Sequence, residues 1–361
     1  MMPATSNVPA SRPNRFQVRS LPIAEWPAAD RDAWIAACRP SQRLVRGGAG
    51  AHMKPITLSD LARRYGYFLD FLDRSGLLDR RGAAAGHVTP ENVAGYLDEL
   101  QMRVSSVTVY GSIFKLRRAS ELLDPQGEFT WLTEIEKDLA LVMRPRSKAD
   151  RFVLSEVLVE NGLALMAETE HSTTRSDLAK ARQFRNGLMV AMLALHPIRL
   201  KNFASLEIGR NFVNIEGRWW IILGAGETKE KRPDERCLDD MLVPSLEKYL
   251  STNRDVLAQK RDSNALWLSS ADGQPMTYSA VADAIKKTTL TAIGVGVSSH
   301  MFRTAAASSA AVHAGHNPNL ASALLHHRDR RVTEEHYNRA SSLSAAMALK
   351  AVLQEYVEDK R

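Results

Sequence analysis

Apolar residues recur at helical spacing in the first third of the chain, and this feature constrains the fold more than any other. Between positions 57 and 76 they fall three or four residues apart, at Leu58, Leu61, Tyr65, Phe68 and Leu72. That spacing places all five on one face of an α-helix. An apolar face of this kind must pack against another element, so the sequence predicts a helical bundle.

Other helices are predicted on both sides of this stripe. One is expected around Trp26–Cys38, and Gly76 is expected to end the striped helix. Thr89 followed by Pro90 is typical of an N-cap and a first helical residue, and a further helix is predicted from about Ser106. Residues 1–24 are rich in Pro, Ser, Asn and Arg and are predicted to form a flexible arm. Residues 25–143 are therefore predicted to form an all-helical domain.

The pattern changes in the second half of the chain. The polar, basic segment at 144–151 is predicted to be an interdomain linker. The runs NFVNIEG and RWWIILGAG favour β-strands, a third strand is predicted over Arg236–Val243, and helical patterns resume at Pro244. Residues 152–361 are thus predicted to form a mostly α-helical domain with one small antiparallel sheet, and the fold class of the whole chain is mainly α.

The basic composition is compatible with a polyanionic partner, although a modest excess is also common in proteins that bind none, and the cysteine content indicates a reducing compartment. Lys and Arg number 48 against 41 Asp and Glu, and the isoelectric point is about 9.4. The chain has only two cysteines, Cys38 and Cys237, far apart in sequence, so neither a CxxC metal site nor a disulfide framework is expected. No segment is long and apolar enough to cross a bilayer. A cytoplasmic protein is expected.

Four segments of the second domain carry polar residues that packing alone does not require. They are HPIRLKNF, the hairpin tip GAGETKEKRPDER, SSHMFRTAAASS and LLHHRDRRVTEEHY. In the third segment a histidine and an arginine stand three residues apart, on one face of a helix. The candidate residues in these segments are Arg199, Lys229, His300, Arg303, His327 and Tyr337.

The order of these residues resembles that of the tyrosine recombinase (phage integrase) family: an arginine, a hairpin lysine, HxxR, a leucine pair before a histidine, then a tyrosine. The resemblance implies an integrase-like catalytic domain preceded by a SAM-like core-binding domain, closing as a C-shaped clamp on duplex DNA. It also implies a homotetramer on two recombination sites, with the chain after Tyr337 docking into a neighbouring protomer. Accessory DNA-bending or directionality proteins are expected as partners. The expected location is the nucleoid.

Phosphodiester chemistry explains why such residues gather. Attack on a phosphodiester anion requires its charge to be neutralised, and Arg199 and Arg303 would hold the non-bridging oxygens while His327 donates a further hydrogen bond. A phenol with a pKa near 10 is only about 0.1 % ionised at pH 7, a cost of roughly 4 kcal/mol that a cationic pocket reduces. His300 is then a general base for Tyr337. The resemblance implies that Lys229 protonates the leaving 5′-oxygen and that a 3′-phosphotyrosine forms.

Several assignments remain open at this stage. His326 stands where the family usually has a glycine, so it competes with His327, and Lys231 competes with Lys229. The interval from His327 to Tyr337 is one residue longer than the commonest family spacing, which leaves His336 at the usual place. Asn202 replaces the family's acidic residue three positions after the first arginine. Tyr356 is a rival nucleophile, although its run is better explained as an apolar helix face.

Basic residues outside the four segments are predicted to contact DNA, and no cofactor or metal is expected. The predicted contacts with DNA are Lys115, Arg117, Arg118, Arg146 and Lys148. His313 and His316 precede and follow Gly315, which is typical of a helix C-terminus rather than of a metal site. A zinc site at His326, His327 and His336 is the alternative, and it predicts bound metal.

Two other functions compete with site-specific recombination. A type IB topoisomerase would use a similar catalytic set as a monomer and would relax supercoils without sequence preference. A non-catalytic DNA-binding regulator would keep the fold and lose the chemistry, but such a protein would not need the complete series of candidate residues.

Overall fold

The computed structural model describes residues 18–145, 152–229 and 231–313. The chain divides into two compact units, Met1–Arg146 and Ser147–Arg361. Each unit has its own hydrophobic core. None of the helices in the described ranges has the length and apolar content needed to span a bilayer.

The first unit is built from five α-helices within its described residues. Four side chains of the predicted stripe, Leu61, Tyr65, Phe68 and Leu72, are buried in its core, and Leu58 is half-buried beside them. Their burial confirms the helical prediction for this part of the chain. The helices are α1 Ala28–Ala37, α2 Pro55–Arg74, α3 Pro90–Arg103, α4 Ser106–Leu123 and α5 Thr130–Val142.

Local sequence signals set the ends of these helices. The Thr89 hydroxyl accepts a hydrogen bond from the Asn92 amide at 3.3 Å, and Pro90 is the first residue of α3. Helix α2 ends at Arg74, and Gly76 follows in the left-handed region at φ +70°. Glycine adopts that conformation without a steric penalty. The cap and the stop were both predicted correctly.

A buried helix, Asp177–Leu195, lies at the centre of the second unit. Phe184 and Leu188 of that helix pack in one core with Phe203, Trp267 and Phe302 from later segments. The α-helices within its described residues are α6 Ser155–His171, α7 Asp177–Leu195, α8 Leu200–Ala204, α9 Val243–Lys248, α10 Arg254–Ala258, α11 Tyr278–Ile293 and α12 Ser299–His313.

Helices α6 and α7 approach each other closely at a pair of glycines. A Cβ built on Gly162 would lie 2.7 Å from the Gly187 carbonyl oxygen, and one built on Gly187 would lie 2.7 Å from the Gly162 carbonyl oxygen. Only residues without a side chain permit this approach, because real Cβ atoms essentially never come so close to another atom. The two glycines therefore fix how tightly α6 packs on the helix that leads into the candidate site.

Three antiparallel strands form a small sheet in the order β1–β2–β3, with β1 Phe212–Ile215, β2 Arg218–Leu223 and β3 Asp234–Cys237. The turn between β1 and β2 has positive φ at both Glu216 and Gly217, as a two-residue hairpin turn requires. The predicted small antiparallel sheet and the mainly α fold class are both confirmed.

The predicted bounds of the third strand, Arg236–Val243, are wrong. The strand begins at Asp234 and ends at Cys237, because the Asp239 carboxylate accepts a hydrogen bond from the Met241 amide at 3.0 Å and starts a 3₁₀ turn over Asp240–Leu242. Apolar residues continue beyond the strand, at Leu238 and at 241–243, so residue type alone does not mark its end. With the corrected strand bounds, Leu223 pairs with Asp234, so the hairpin tip consists of the residues between these two.

Candidate active site

The turn between α7 and α8 holds Arg199 at the surface of the second unit. Its neighbours Ile198 and Leu200 are buried in the core, so the backbone is fixed on both sides while the arginine remains half-exposed. The Ile198 amide donates to the His196 carbonyl at 2.7 Å, which closes a tight turn directly after α7. Arg199 is the N-cap residue of α8.

Helix α12 brings Arg303 to the same turn. Met301, Phe302 and Ala305 of this helix are buried, His300 is exposed, and Arg303 is half-buried. The Arg303 Nη1 donates a hydrogen bond to the Pro197 carbonyl oxygen at 2.6 Å. Pro197 stands two residues before Arg199. Two arginine-bearing segments separated by about a hundred residues in sequence therefore meet at one short turn.

The β2–β3 hairpin presents both candidate lysines. The buried Thr228 hydroxyl donates to the Arg232 carbonyl at 2.6 Å and accepts from the Arg232 amide at 3.1 Å, which closes the tip. Lys229 follows directly and is exposed, and Lys231 is exposed at φ +56°. The choice between the two lysines stays a prediction.

Two ion pairs lie on the hairpin. Within β3, Arg236 holds Asp234 with two hydrogen bonds of 2.7 and 3.0 Å, and both side chains are nearly buried. Nearer the tip, Glu227 accepts from Arg210 at 2.9 Å and from the Gly224 amide at 2.9 Å. These contacts hold residues on both sides of the two candidate lysines in place.

The turn before Arg199 contains a buried histidine, His196, which was not among the residues predicted from the sequence. The Asp239 amide donates to His196 Nε2 at 3.3 Å, so the ring is neutral with its proton on Nδ1. Burial lowers the pKa of His196 to about 4, and the positive charge of Arg236 acts in the same direction. The ring links the turn that carries Arg199 to the end of β3. The sequence signal for a role of His196 was its position three residues before Arg199.

We expect the free energy of unfolding to fall as the pH falls from about 6.5 towards 4. His196 has a folded-state pKa of about 4 against an ordinary value of 6.5, so the unfolded chain takes up a proton first. The full contribution is present above pH 6.5, and its loss amounts to about 3 kcal/mol. Denaturant titrations at several pH values should show a flatter pH dependence for His196→Gln, which keeps an acceptor for the Asp239 amide.

The exposed His171 at the end of α6 offers a matched control. The pH dependence of His171→Gln should follow that of the wild-type protein. Parallel curves for His196→Gln and the wild type would contradict the assignment of a neutral buried ring.

The comparisons with known proteins concern structure, since no protein-family model and no curated protein sequence matches the chain. The fold is similar to that of the XerH site-specific recombinase in a pre-cleavage complex with its difH substrate, with a TM-score of 0.53 and 15% identity. That match covers 83% of this chain and 80% of the other. The chain has the fold of the XerH site-specific recombinase.

Two further solved structures are similar at lower scores. A lambda integrase dimer bound to a COC′ core site matches with a TM-score of 0.46 and 12% identity, over 80% of this chain and 90% of the other. The XerA recombinase matches with a TM-score of 0.39 and 16% identity, over 83% and 94% of the two chains.

Within this recombinase fold, the described residues include four of the six predicted catalytic residues. His327 and Tyr337 lie outside the described ranges, as do the competing His326, His336 and Tyr356. Arg199 and Arg303 lie at one turn, and His300 shares a helix with Arg303. The roles of all six residues stay predictions.

The predicted DNA contacts of the first unit are engaged with carboxylates. Lys115 pairs with Asp60 at 2.5 Å, and Arg118 lies 3.9 Å from Glu121. Arg117 pairs with both Glu121 and Glu136 at 2.6 Å, so a DNA phosphate would have to compete with two acids. Arg146 and Lys148 lie outside the described residues. The five contacts stay predictions.

His313, considered as a metal ligand and set aside, has an acidic partner on α6. Its Nε2 lies 3.0 Å from Glu156 Oε1, and Ser309 donates to Glu156 Oε2 at 2.8 Å. Burial raises the pKa of Glu156, but these hydrogen bonds outweigh it and leave the pKa lowered. The cluster ties the start of α6 to the last turn of α12. Within the described ranges, no group of three or more His, Cys, Asp or Glu side chains is placed to hold a metal ion.

Proposed function

We propose that the protein is a site-specific DNA recombinase that cuts and rejoins strands through a covalent 3′-phosphotyrosine at Tyr337. The observation that carries this proposal is the hydrogen bond from Arg303 to the turn that holds Arg199. With Arg199 on the same turn, two guanidiniums would be available to one phosphate anion, since each guanidinium fork matches a pair of phosphate oxygens. The recombinase fold of the chain supports the same conclusion.

The chemistry proceeds by transesterification. The Tyr337 phenol oxygen attacks the phosphorus atom and passes its proton to His300, while Arg199, Arg303 and His327 stabilise the charge on the non-bridging oxygens. The bond from phosphorus to the 5′-oxygen breaks, and Lys229 donates a proton to that oxygen. One phosphate ester is exchanged for another, so the reverse reaction with a 5′-hydroxyl of a second strand rejoins the DNA.

The two units have separate roles in this proposal. Residues 25–143 form the core-binding domain, residues 144–151 the linker and residues 152–361 the catalytic domain. Four protomers assemble on two DNA sites and exchange strands, and the chain after Tyr337 contacts a neighbouring protomer. Cationic contacts to phosphates dominate the affinity, so DNA binding falls steeply as the salt concentration rises.

The decisive experiment is trapping of the covalent intermediate. The full-length protein is mixed with nicked duplexes from the DNA that flanks its gene, so that the short cleaved fragment diffuses away and religation fails. A protein–DNA adduct that survives denaturant and carries DNA on a tyrosine supports the proposal. Absence of any adduct, together with retained DNA binding, would instead favour a non-catalytic DNA-binding regulator.

A second readout separates a recombinase from a topoisomerase. A recombinase joins two duplexes only where both carry its site, and it does so as a tetramer. A type IB topoisomerase relaxes supercoiled plasmids of any sequence as a monomer. Relaxation without sequence preference and without joined products would overturn site-specific recombination while leaving the tyrosine chemistry in place.

A further inference from the structure

A polar network in the second unit joins the end of α8 to the β2–β3 hairpin. Its centre is Arg210, whose guanidinium donates hydrogen bonds in three directions. Nη1 donates to Glu227 Oε1 at 2.9 Å, and Nη2 donates to the Ser205 carbonyl oxygen at 3.1 Å. Nε donates to Glu207 Oε2 at 2.6 Å. Since Ser205 is the C-cap residue of α8 and Glu227 lies on the hairpin, one planar side chain connects two separate segments.

A buried asparagine, Asn211, reinforces the same connection. Its Oδ1 accepts from the Glu207 amide at 2.7 Å. Its Nδ2 lies 3.4 Å from the Ser205 carbonyl oxygen and 3.5 Å from Glu227 Oε1. The Asn211 carbonyl oxygen also accepts from the Ile222 amide of β2 at 2.9 Å. The network is therefore anchored to the backbone of the sheet as well as to α8.

On the hairpin, Glu227 uses both of its carboxylate oxygens. Oε1 accepts from Arg210, and Oε2 accepts from the Gly224 amide at 2.9 Å, which holds the turn after β2. The hydrogen bond from Arg210 is the largest cause of a lowered pKa of Glu227, so the carboxylate stays charged. Lys229 comes two residues later, directly after Thr228, whose hydroxyl closes the tip. The backbone position of Lys229 thus depends on the contacts of Glu227.

The Arg210–Glu227 pair contributes little to folding stability, because the two side chains are 48% and 35% exposed. Water and salt screen an ion pair at such exposure. The geometry is nevertheless specific, since a lysine could not donate to three separate acceptors from one plane. The main effect of the pair is therefore on where the hairpin lies relative to α8, the helix whose N-cap residue is Arg199.

We propose that Arg210 and Glu227 are positioning residues that fix the hairpin with Lys229 relative to the helix that begins at Arg199. In the proposed function Lys229 protonates the leaving 5′-oxygen, and the role of the pair rests on that function. The proton donor must lie within hydrogen-bond reach of this oxygen while Arg199 holds the same phosphate. A displacement of about 1 Å can cost on the order of 10² in rate, so the pair acts on the chemistry without contact with the reacting atoms.

The first test compares two leaving groups. Adduct formation is measured with the unmodified duplex and with a duplex in which sulfur replaces the bridging 5′-oxygen at the cleaved position, mapped from the wild-type adduct. A thiol is far more acidic than an alcohol, so sulfur leaves without a proton donor. Arg210→Lys and Glu227→Gln should each slow adduct formation about tenfold with oxygen and approach the wild-type rate with sulfur. An equal loss on both duplexes would show that the pair does not act through a lysine.

Double variants identify the lysine on which the pair acts. With the unmodified duplex, Arg210→Lys should add little to the loss caused by Lys229→Ala, because both changes impair the same proton transfer. It should keep its full effect when combined with Lys231→Ala. The reverse pattern would overturn the assignment to Lys229.

The matched control is Glu170→Gln. Glu170 on α6 pairs with Lys248 on α9 at 2.5 Å, and these side chains are 49% and 44% exposed, much like the proposed pair. Loss of this ion pair should leave the rate of adduct formation unchanged with both duplexes. A tenfold loss in this control would mean that any exposed ion pair of the unit has the same effect, and the proposal would fail.

Amide hydrogen exchange tests the positioning role without catalysis. The Gly224 amide loses its carboxylate acceptor in Glu227→Gln, so exchange in the hairpin should rise about tenfold in both variants of the pair, while α7 exchanges as in the wild type. Unchanged exchange in the hairpin overturns the proposal whatever the cleavage rates are. If the wild type forms no adduct with either duplex, the proposed recombinase function fails, and the exchange rates still decide whether the pair holds the hairpin.

Discussion

Tyr337→Phe is expected to abolish the covalent protein–DNA adduct while leaving DNA retention within about twofold of the wild type. The substitution removes only the phenol oxygen, which is the proposed nucleophile, and keeps the ring. A covalent intermediate cannot form without that oxygen, so strand cleavage should fall by a factor on the order of 10⁴ or more. The measurement is the fraction of nicked duplex that becomes attached to protein under denaturing conditions.

Tyr356→Phe provides the matched control for this prediction. Tyr356 is the other tyrosine near the end of the chain, and its substitution should leave adduct formation unchanged. An adduct that persists in Tyr337→Phe would refute the assignment of the nucleophile. Loss of the adduct in Tyr356→Phe alone would transfer the role to that residue.

Arg303→Lys is expected to reduce strand cleavage by a factor of about 10² to 10³, the range found when one donor to a developing oxyanion is removed. Lysine keeps the charge but lacks the planar fork, so it cannot hold the Pro197 carbonyl at 2.6 Å and present a second pair of donors to a phosphate. The effect should appear in the rate of adduct formation at saturating protein. DNA affinity should change much less.

Arg261→Lys is a suitable control, because Arg261 is an exposed arginine of the same unit with no assigned role in the site. Its rate of adduct formation should equal that of the wild type. Thermal unfolding of both variants separates lost chemistry from lost folding. A rate for Arg303→Lys within about threefold of the wild type would show that the bidentate geometry of Arg303 is not needed.

Much of the fold followed from local patterns. The stripe from Leu58 to Leu72, the cap at Thr89 and the stop at Gly76 depend on residues within a few positions of each other, and the structure confirms all three. The predicted third strand extends too far, since apolar residues continue past Cys237 at Leu238 and at 241–243. The Asp239 side chain accepts a hydrogen bond from the Met241 amide and starts a turn there, and the pattern of apolar residues does not show this local hydrogen bond.

The environment of each side chain in the site depended on the fold. The sequence identifies Arg199 and Arg303 by their order among other polar residues, but it cannot state that Pro197 accepts a hydrogen bond from Arg303. His196 stood beside a predicted residue and still gave no sign of its role, because its low pKa depends on burial and on Arg236, forty residues later.

The sequence by itself determined several helices of the first unit, the presence of a small sheet in the second, a few helix ends, and which residue types are available for phosphate chemistry, because these properties depend on the chain over one or two helical turns. Only the tertiary structure decided that Arg303 contacts the turn that carries Arg199 and that the buried His196 is neutral. Charge–charge distances and burial are set by contacts between residues far apart in the chain, and those contacts exist only once the units have folded.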